Sequence, residues 1–219
     1  LLVTSVFFRC APSPWFVDLA GPAMNALVAA AMLALLASRV RMAPSWRSLC
    51  VLVFAFDGCW AAGYAIYSAA SLQGDLAFPM RAVAASSAVP LRFAFAGAGL
   101  LAYVAVTRTS MRRLPAGVPI VAACAAAIAL ACVAAACFEA ALAVSLREGL
   151  QEGVGATLGL LLAARRGAMR PPAADGAALE WSPRWPLAAI VLVAAFVSVL
   201  GRGLGDASAL DAHAVRSSR

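Results

Sequence analysis

Few side chains in this chain are able to do chemistry, and their spacing decides which chemistry that is. Asp57 stands in the apolar run "LCVLVFAFDGCWAAGYAIYSAAS", the ninth residue from Leu49 and near the expected bilayer midplane. An isolated carboxylate at that depth is costly, so it must face protein, water or a partner. At 3.6 residues per turn, Trp60, Tyr64 and Ser68 share much of its face and make a polar stripe on an apolar cylinder. Two readings of Asp57 stay open: a functional acid, or a neutral carboxyl hydrogen-bonded to a tyrosine. Glu148 and Glu152 form the second constellation, one turn apart in "LREGLQEGVGATLGLLLAARR", with Glu139 ending the preceding apolar run. That pair could handle protons or a cation. Alternatively, the two acids complement the helix dipole in the headgroup region. The same segment carries Gly149, Gly153, Gly155 and Gly159, a spacing suited to close helix contact.

The remaining reactive types point away from a metal site. Cys10, Cys50, Cys59, Cys124, Cys132 and Cys137 include no C-x-x-C pair and no neighbouring His, so they are expected to pack as small apolar residues. His213 is the one histidine, in a polar tail, where a solvated role is expected.

The elements that must position these residues are membrane helices. With 64% hydrophobic and 12% charged residues and a mean hydropathy of +0.90, the chain cannot hide its apolar surface in a water-soluble core of 219 residues. Hydrocarbon about 30 Å thick takes roughly 20 apolar helical residues. That yardstick marks segments at 15–37, 49–70, 92–107, 118–143, 146–164 and 186–201, the fifth and sixth being short. The expected fold is all-α, a polytopic transmembrane bundle of five or six spans. Residues 1–14 form a lead-in, 15–164 the membrane core, 165–185 a Pro-, Gly- and Ala-rich linker, 186–201 the last span and 202–219 a polar tail. In the lead-in, "VTSVFF" has strand composition before Pro12 and Pro14 stop it and Trp15 anchors the first helix. The chain starts at Leu1 rather than Met and is expected to be a fragment.

All 17 basic residues are Arg, which with the abundant Ala suggests a GC-rich bacterial genome and the inner (plasma) membrane. The net charge of +7 is explained by orientation, since nucleic-acid binding would need a basic patch on a soluble domain. Arg39, Arg41 and Arg47 follow the first span, Arg108, Arg112 and Arg113 the third, and Arg165, Arg166 and Arg170 the fifth. Six alternating spans put all three clusters in the cytoplasm. The start of the chain, the 71–91 loop and the tail from Gly203 then face the other way.

The first helix opens unusually. "VDLAGPAMNALVAAAMLALLAS" sets Asp18 at its door and Gly21, Pro22 and Asn25 in its first two turns. Pro is tolerated there because its missing N–H would have no partner, and Gly lets another backbone approach closely. Asn25 is expected to hydrogen-bond across to a neighbouring helix.

"DLAGPAMNALVAA" resembles the A-G-P-x-x-N signature of the helix that follows the zinc-binding helix in site-2 protease-type intramembrane metalloproteases. Phe56-Asp57-Gly58 stands where that family carries L-D-G, without the family's preceding Asn-Pro run. The likeness covers roughly residues 7–78. It implies zinc-assisted peptide hydrolysis within the membrane, with Asp57 completing a metal site whose two His lie one turn apart on an H-E-x-x-H helix and whose Glu activates water. No H-E-x-x-H occurs in this chain. Zinc is therefore implied only with His ligands upstream of Leu1, or else catalysis has been lost. The expected partners are the lipid bilayer and a membrane-protein substrate or partner helix. Two further functions stay open: a non-catalytic protein binding partner helices through its Gly-rich faces, and a small transporter using Asp57, Glu148 and Glu152.

Overall fold

The computed structural model describes residues 2–3, 8–9, 19–72, 76–77, 80, 85–114, 118–138, 142–165 and 204–205. Five helices dominate: α1 (Ala20–Ala37), α2 (Pro44–Ser71), α3 (Ala85–Arg113), α4 (Ile120–Phe138) and α5 (Leu142–Arg165). The fold is all-α, with three two-residue strands, β1 (Leu2–Val3), β2 (Phe8–Arg9) and β3 (Leu204–Gly205), in a small sheet ordered β2-β1-β3. β1 pairs antiparallel with both neighbours. The strand expected over "VTSVFF" is thus two short pieces, with residues 4–7 outside the described set. The linker at 165–185, apart from Arg165, and the last span at 186–201 also lie outside it, as do Asp18, Cys10 and His213.

Helix ends follow local chemistry rather than the apolar yardstick. α2 begins at Pro44, five residues before the apolar run, because Pro is pre-organised for the first helical position and the polar turn Ser45-Trp46-Arg47 costs nothing outside the hydrocarbon. It ends at Leu72 in the left-handed region (φ 55°), whose N–H reaches the Ser68 carbonyl at 2.9 Å. α1 stops where Ser38 turns extended and its Oγ bonds back to the Leu35 carbonyl at 2.6 Å. α3 runs well beyond the expected 92–107, with Pro90 near its start. α5 begins at Leu142 rather than 146. Glu148 and Glu152 are therefore its seventh and eleventh residues, and no acid stands in its first turn. The reading of that pair as N-terminal dipole partners is corrected: the helix continues upstream through the apolar Leu142-Ala143-Val144.

α1, α2 and α3 are each long and apolar enough to cross a membrane. α4 offers a shorter apolar stretch, Ile120–Val133, and α5 carries Arg147, Glu148 and Glu152 in its first half. Phe93 is 76% and Leu101 74% exposed on α3, a surface that water would not tolerate on this scale but lipid does. The protein is an integral membrane protein.

α2 is the hub, packing against α1, α3 and α5, while α4 packs on α5. Lipid tails are as apolar as leucine, so helices associate through close small-residue contacts and internal hydrogen bonds. Gly58 touches both neighbours: a Cβ there would lie 3.0 Å from Val106 on α3 and 3.5 Å from Ala29 on α1. One buried cluster (Ala29, Leu36, Cys50, Val51, Phe54) joins α1 to α2, and a second (Ala55, Val118, Ile120, Cys124, Leu160) joins α2 to α4 and α5.

Two arginines on α3 fix the relative heights of the helices. Arg92 donates from Nε to the Ala69 carbonyl at 2.7 Å and from Nη2 to Ala70 at 3.0 Å, closing the C-terminus of α2. At the other end, Arg113 donates to the Leu36 carbonyl at 3.0 Å and closes α1. A cation over free carbonyls both satisfies them and complements the helix dipole. The Arg113 contact also brings the first two Arg clusters to one end of the bundle. Ala164, next to Arg165, packs with Met111 and Leu114 of α3 against the second buried cluster, which brings the start of the third cluster there too.

The β1–β3 pairing constrains topology independently. Two strands in one small sheet lie on one side of a membrane, so Val3 and Leu204 are on the same side. Reporter fusions at Arg41, Ala116 and Ala168 are accordingly expected to read cytoplasmic, and one at Ala77 external. A mismatch at Ala168 alone would remove α5 from the spans, and one at Arg41 would invert the scheme.

Candidate functional site

Asp57 is the fourteenth of the 28 residues of α2. Its neighbour Gly58 faces Ala29, at the middle of α1, so the carboxylate sits near mid-height of that helix pair. It is half-buried and has no hydrogen-bond or ion-pair partner among the described residues. The packed faces of α2 explain why. Val51, Phe54 and Gly58 meet α1; Gly58, Ala62, Ala65 and Ile66 meet α3; Gly63 approaches α5 near the Gly155 carbonyl. Asp57 falls to the flank of these contacts. Trp60 and Tyr64 continue that flank as a stack, rings 4.9 Å apart and 10° from parallel, with Tyr67 tilted at 6.1 Å beyond. Ser68 departs from the expected stripe. It is fully buried, and its Oγ has no hydrogen-bond partner.

The other expected residues do not gather around Asp57. Asn25 donates from Nδ2 to the Gly21 carbonyl at 3.3 Å within α1, which corrects the expected bond to a neighbouring helix: one turn of its own helix already supplies an acceptor. Gly21 is exposed, so no close contact there explains its small size, whereas Pro22 is buried. Glu152 is exposed on α5, on a different helix from Asp57. Cys50, Cys59 and Cys124 are buried free thiols, as expected of small packing residues.

The most connected polar node was not among the sequence candidates. Tyr103 of α3 donates its hydroxyl to the Gly155 carbonyl at 2.7 Å and accepts from the Gly159 N–H at 2.9 Å. In an unbroken α-helix those two α5 groups would bond each other. The Tyr103 oxygen therefore stands inside one rung of the α5 ladder. Thr107, one turn along α3, lies against Gly159 and places its Oγ1 3.7 Å from the Cys59 sulfur. A signal for this node exists in the sequence, since a lone Tyr in an apolar span needs a partner and Gly155 and Gly159 leave one turn of α5 open.

A catalytic zinc needs three protein ligands and an open position. Among the described residues no group of three His, Cys, Asp or Glu could hold a metal. Asp57 brings one carboxylate to mid-height and nothing beside it, so these residues do not fit a complete zinc centre.

Fold and side chains together define a polytopic α-helical membrane protein whose central helix carries Asp57, an acid with no partner among the described residues. No family model, curated protein or solved structure matches the chain.

Proposed function

We propose that the chain is the membrane core of a site-2 protease-like zinc metallopeptidase of a bacterial inner membrane. In this reading Asp57 is its single metal-directed carboxylate, and the H-E-x-x-H helix lies outside these residues. One observation carries the reading: a half-buried carboxylate at mid-height of α2, unpartnered, on the flank that α1, α3 and α5 leave uncovered. Such a group gains most when a cation offsets its desolvation. The A-G-P-x-x-N and F-D-G stretches lie on adjoining helices, α1 and α2, as the resemblance requires. The two other readings draw less support. Gly149 and Gly153, which would dock a partner helix, are occupied by α4, and Glu152 stands on a different helix from Asp57.

The test is metal analysis of the full natural protein and its Asp57→Asn variant. Asn keeps the shape and removes the charge, so zinc affinity is expected to fall by more than roughly tenfold while membrane insertion is unchanged. Cleavage of a membrane-protein substrate should fall with it. Equal zinc in both proteins would make Asp57 structural, and a parent without zinc would overturn the peptidase reading.

A further inference from the structure

Independently of the peptidase reading, we infer that the basic end of the bundle is a binding surface for the phosphodiester headgroups of anionic phospholipids. Arg39 and Arg41 in the α1–α2 connection, Arg47 on the first turn of α2 and Arg165 ending α5 are all exposed there. None of these four side chains has a hydrogen-bond or ion-pair partner among the described residues, unlike Arg92 and Arg113, which are engaged as helix caps. The described carboxylates are elsewhere: Asp57 is at mid-height, and Glu148 and Glu152 lie in the first half of α5, away from Arg165. Among the described residues, this end therefore presents positive charge without a counter-charge.

Position selects lipid as the source of the phosphate. Arg47 stands ten helical residues, about 15 Å, from Asp57 at mid-height, which is the edge of a hydrocarbon layer about 30 Å thick. Leu49, two residues further in on the same helix, is exposed. An Arg rising from a lipid-facing surface must extend its apolar stem along that surface and deliver its charge at headgroup depth. Trp46, 51% exposed beside Arg47, is the residue type that sits at that depth. A guanidinium presents paired N–H donors that match a phosphodiester bidentately, and juxtamembrane Arg is attracted to anionic leaflets in any case. A soluble phosphate would need none of this placement at the hydrocarbon boundary.

The inference is tested on the purified detergent-solubilised chain by melting temperature and by native mass spectrometry of retained lipid. Phosphatidylglycerol, phosphatidylcholine with the same acyl chains, and inorganic phosphate are added separately. Phosphatidylglycerol should raise the melting temperature and be retained, with no comparable effect from the other two. Combining Arg41→Gln with Arg47→Gln should weaken retention by roughly tenfold, while Arg41→Lys with Arg47→Lys, which keeps charge but loses the fork, should fall between. Equal stabilisation by phosphatidylcholine, full retention by the Gln variant, or an equal shift with inorganic phosphate would each overturn it. Should the Gln variant fail to insert, the parent lipid series decides alone.

Discussion

Gly149→Ala is expected to destroy the α4–α5 pair, whereas Gly155→Ala, six residues along the same helix, leaves the protein folded. A Cβ at position 149 would lie 2.5 Å from the Cys132 Cα, 2.8 Å from its N and 2.9 Å from the Ala131 carbonyl oxygen. All three atoms are backbone of α4. No rotamer change relieves the overlap, so the two helices must separate. Overpacking a membrane interface against backbone should cost about 3 kcal/mol or more, the upper end of what inserted methyl groups cost in cores. Gly153→Ala should follow, with its Cβ 2.8 Å from the Ile128 Cα. Nothing lies within 4 Å of a Cβ at position 155, and an Ala there should change stability by less than about 1 kcal/mol. Thermal unfolding in detergent and the yield of monodisperse protein measure the contrast. Matching behaviour of the 149 and 155 variants would show that α4 and α5 are not in backbone contact.

Tyr103→Phe should loosen α5 around Gly159 and lower stability by about 1–3 kcal/mol, the cost of leaving a buried polar group unpaired. The hydroxyl bonds both the Gly155 carbonyl and the Gly159 N–H. Phe keeps the ring against Gly159 and removes only the oxygen. Both backbone groups then lose that partner. Hydrogen exchange at the Gly159 amide should accelerate relative to amides one turn away, since inserted groups weaken the ladder where they enter. Unchanged exchange and stability would show that the ladder closes without the tyrosine. Thr107→Ser tests the neighbourhood with little disturbance, because it keeps the hydroxyl beside Cys59.

The same interplay of backbone and neighbours separates what could be read from the chain from what could not. Helix existence was legible throughout: every described span lies where the apolar runs predict, because hydrocarbon demands internally bonded backbone and leaves no alternative for such runs. Helix ends were less legible. α2 and α3 extend past the apolar yardstick because polar residues outside the hydrocarbon are free to remain helical. At the site, the sequence determined that Asp57 stands near the middle of a spanning helix. Which flank of α2 it occupies was decided only by how α1, α3 and α5 pack.

Asn25 and Gly149 show the two sides of that division. A polar side chain must find a partner, and the sequence said so. Its own helix or the next were both admissible for Asn25, and only local geometry chose Gly21. The spacing of Gly149 and Gly153 announced close approach, yet only the tertiary structure named α4 as the partner. The Tyr103 insertion depends on α3 and α5 standing at one height, and the height of α3 is set in part by contacts between residues remote in sequence, including those of Arg92 with α2 and Arg113 with α1. Residue types determine which groups must be satisfied, while the meeting of helices remote in sequence determines by whom, because a hydrogen bond depends on distances that no spacing along one chain encodes.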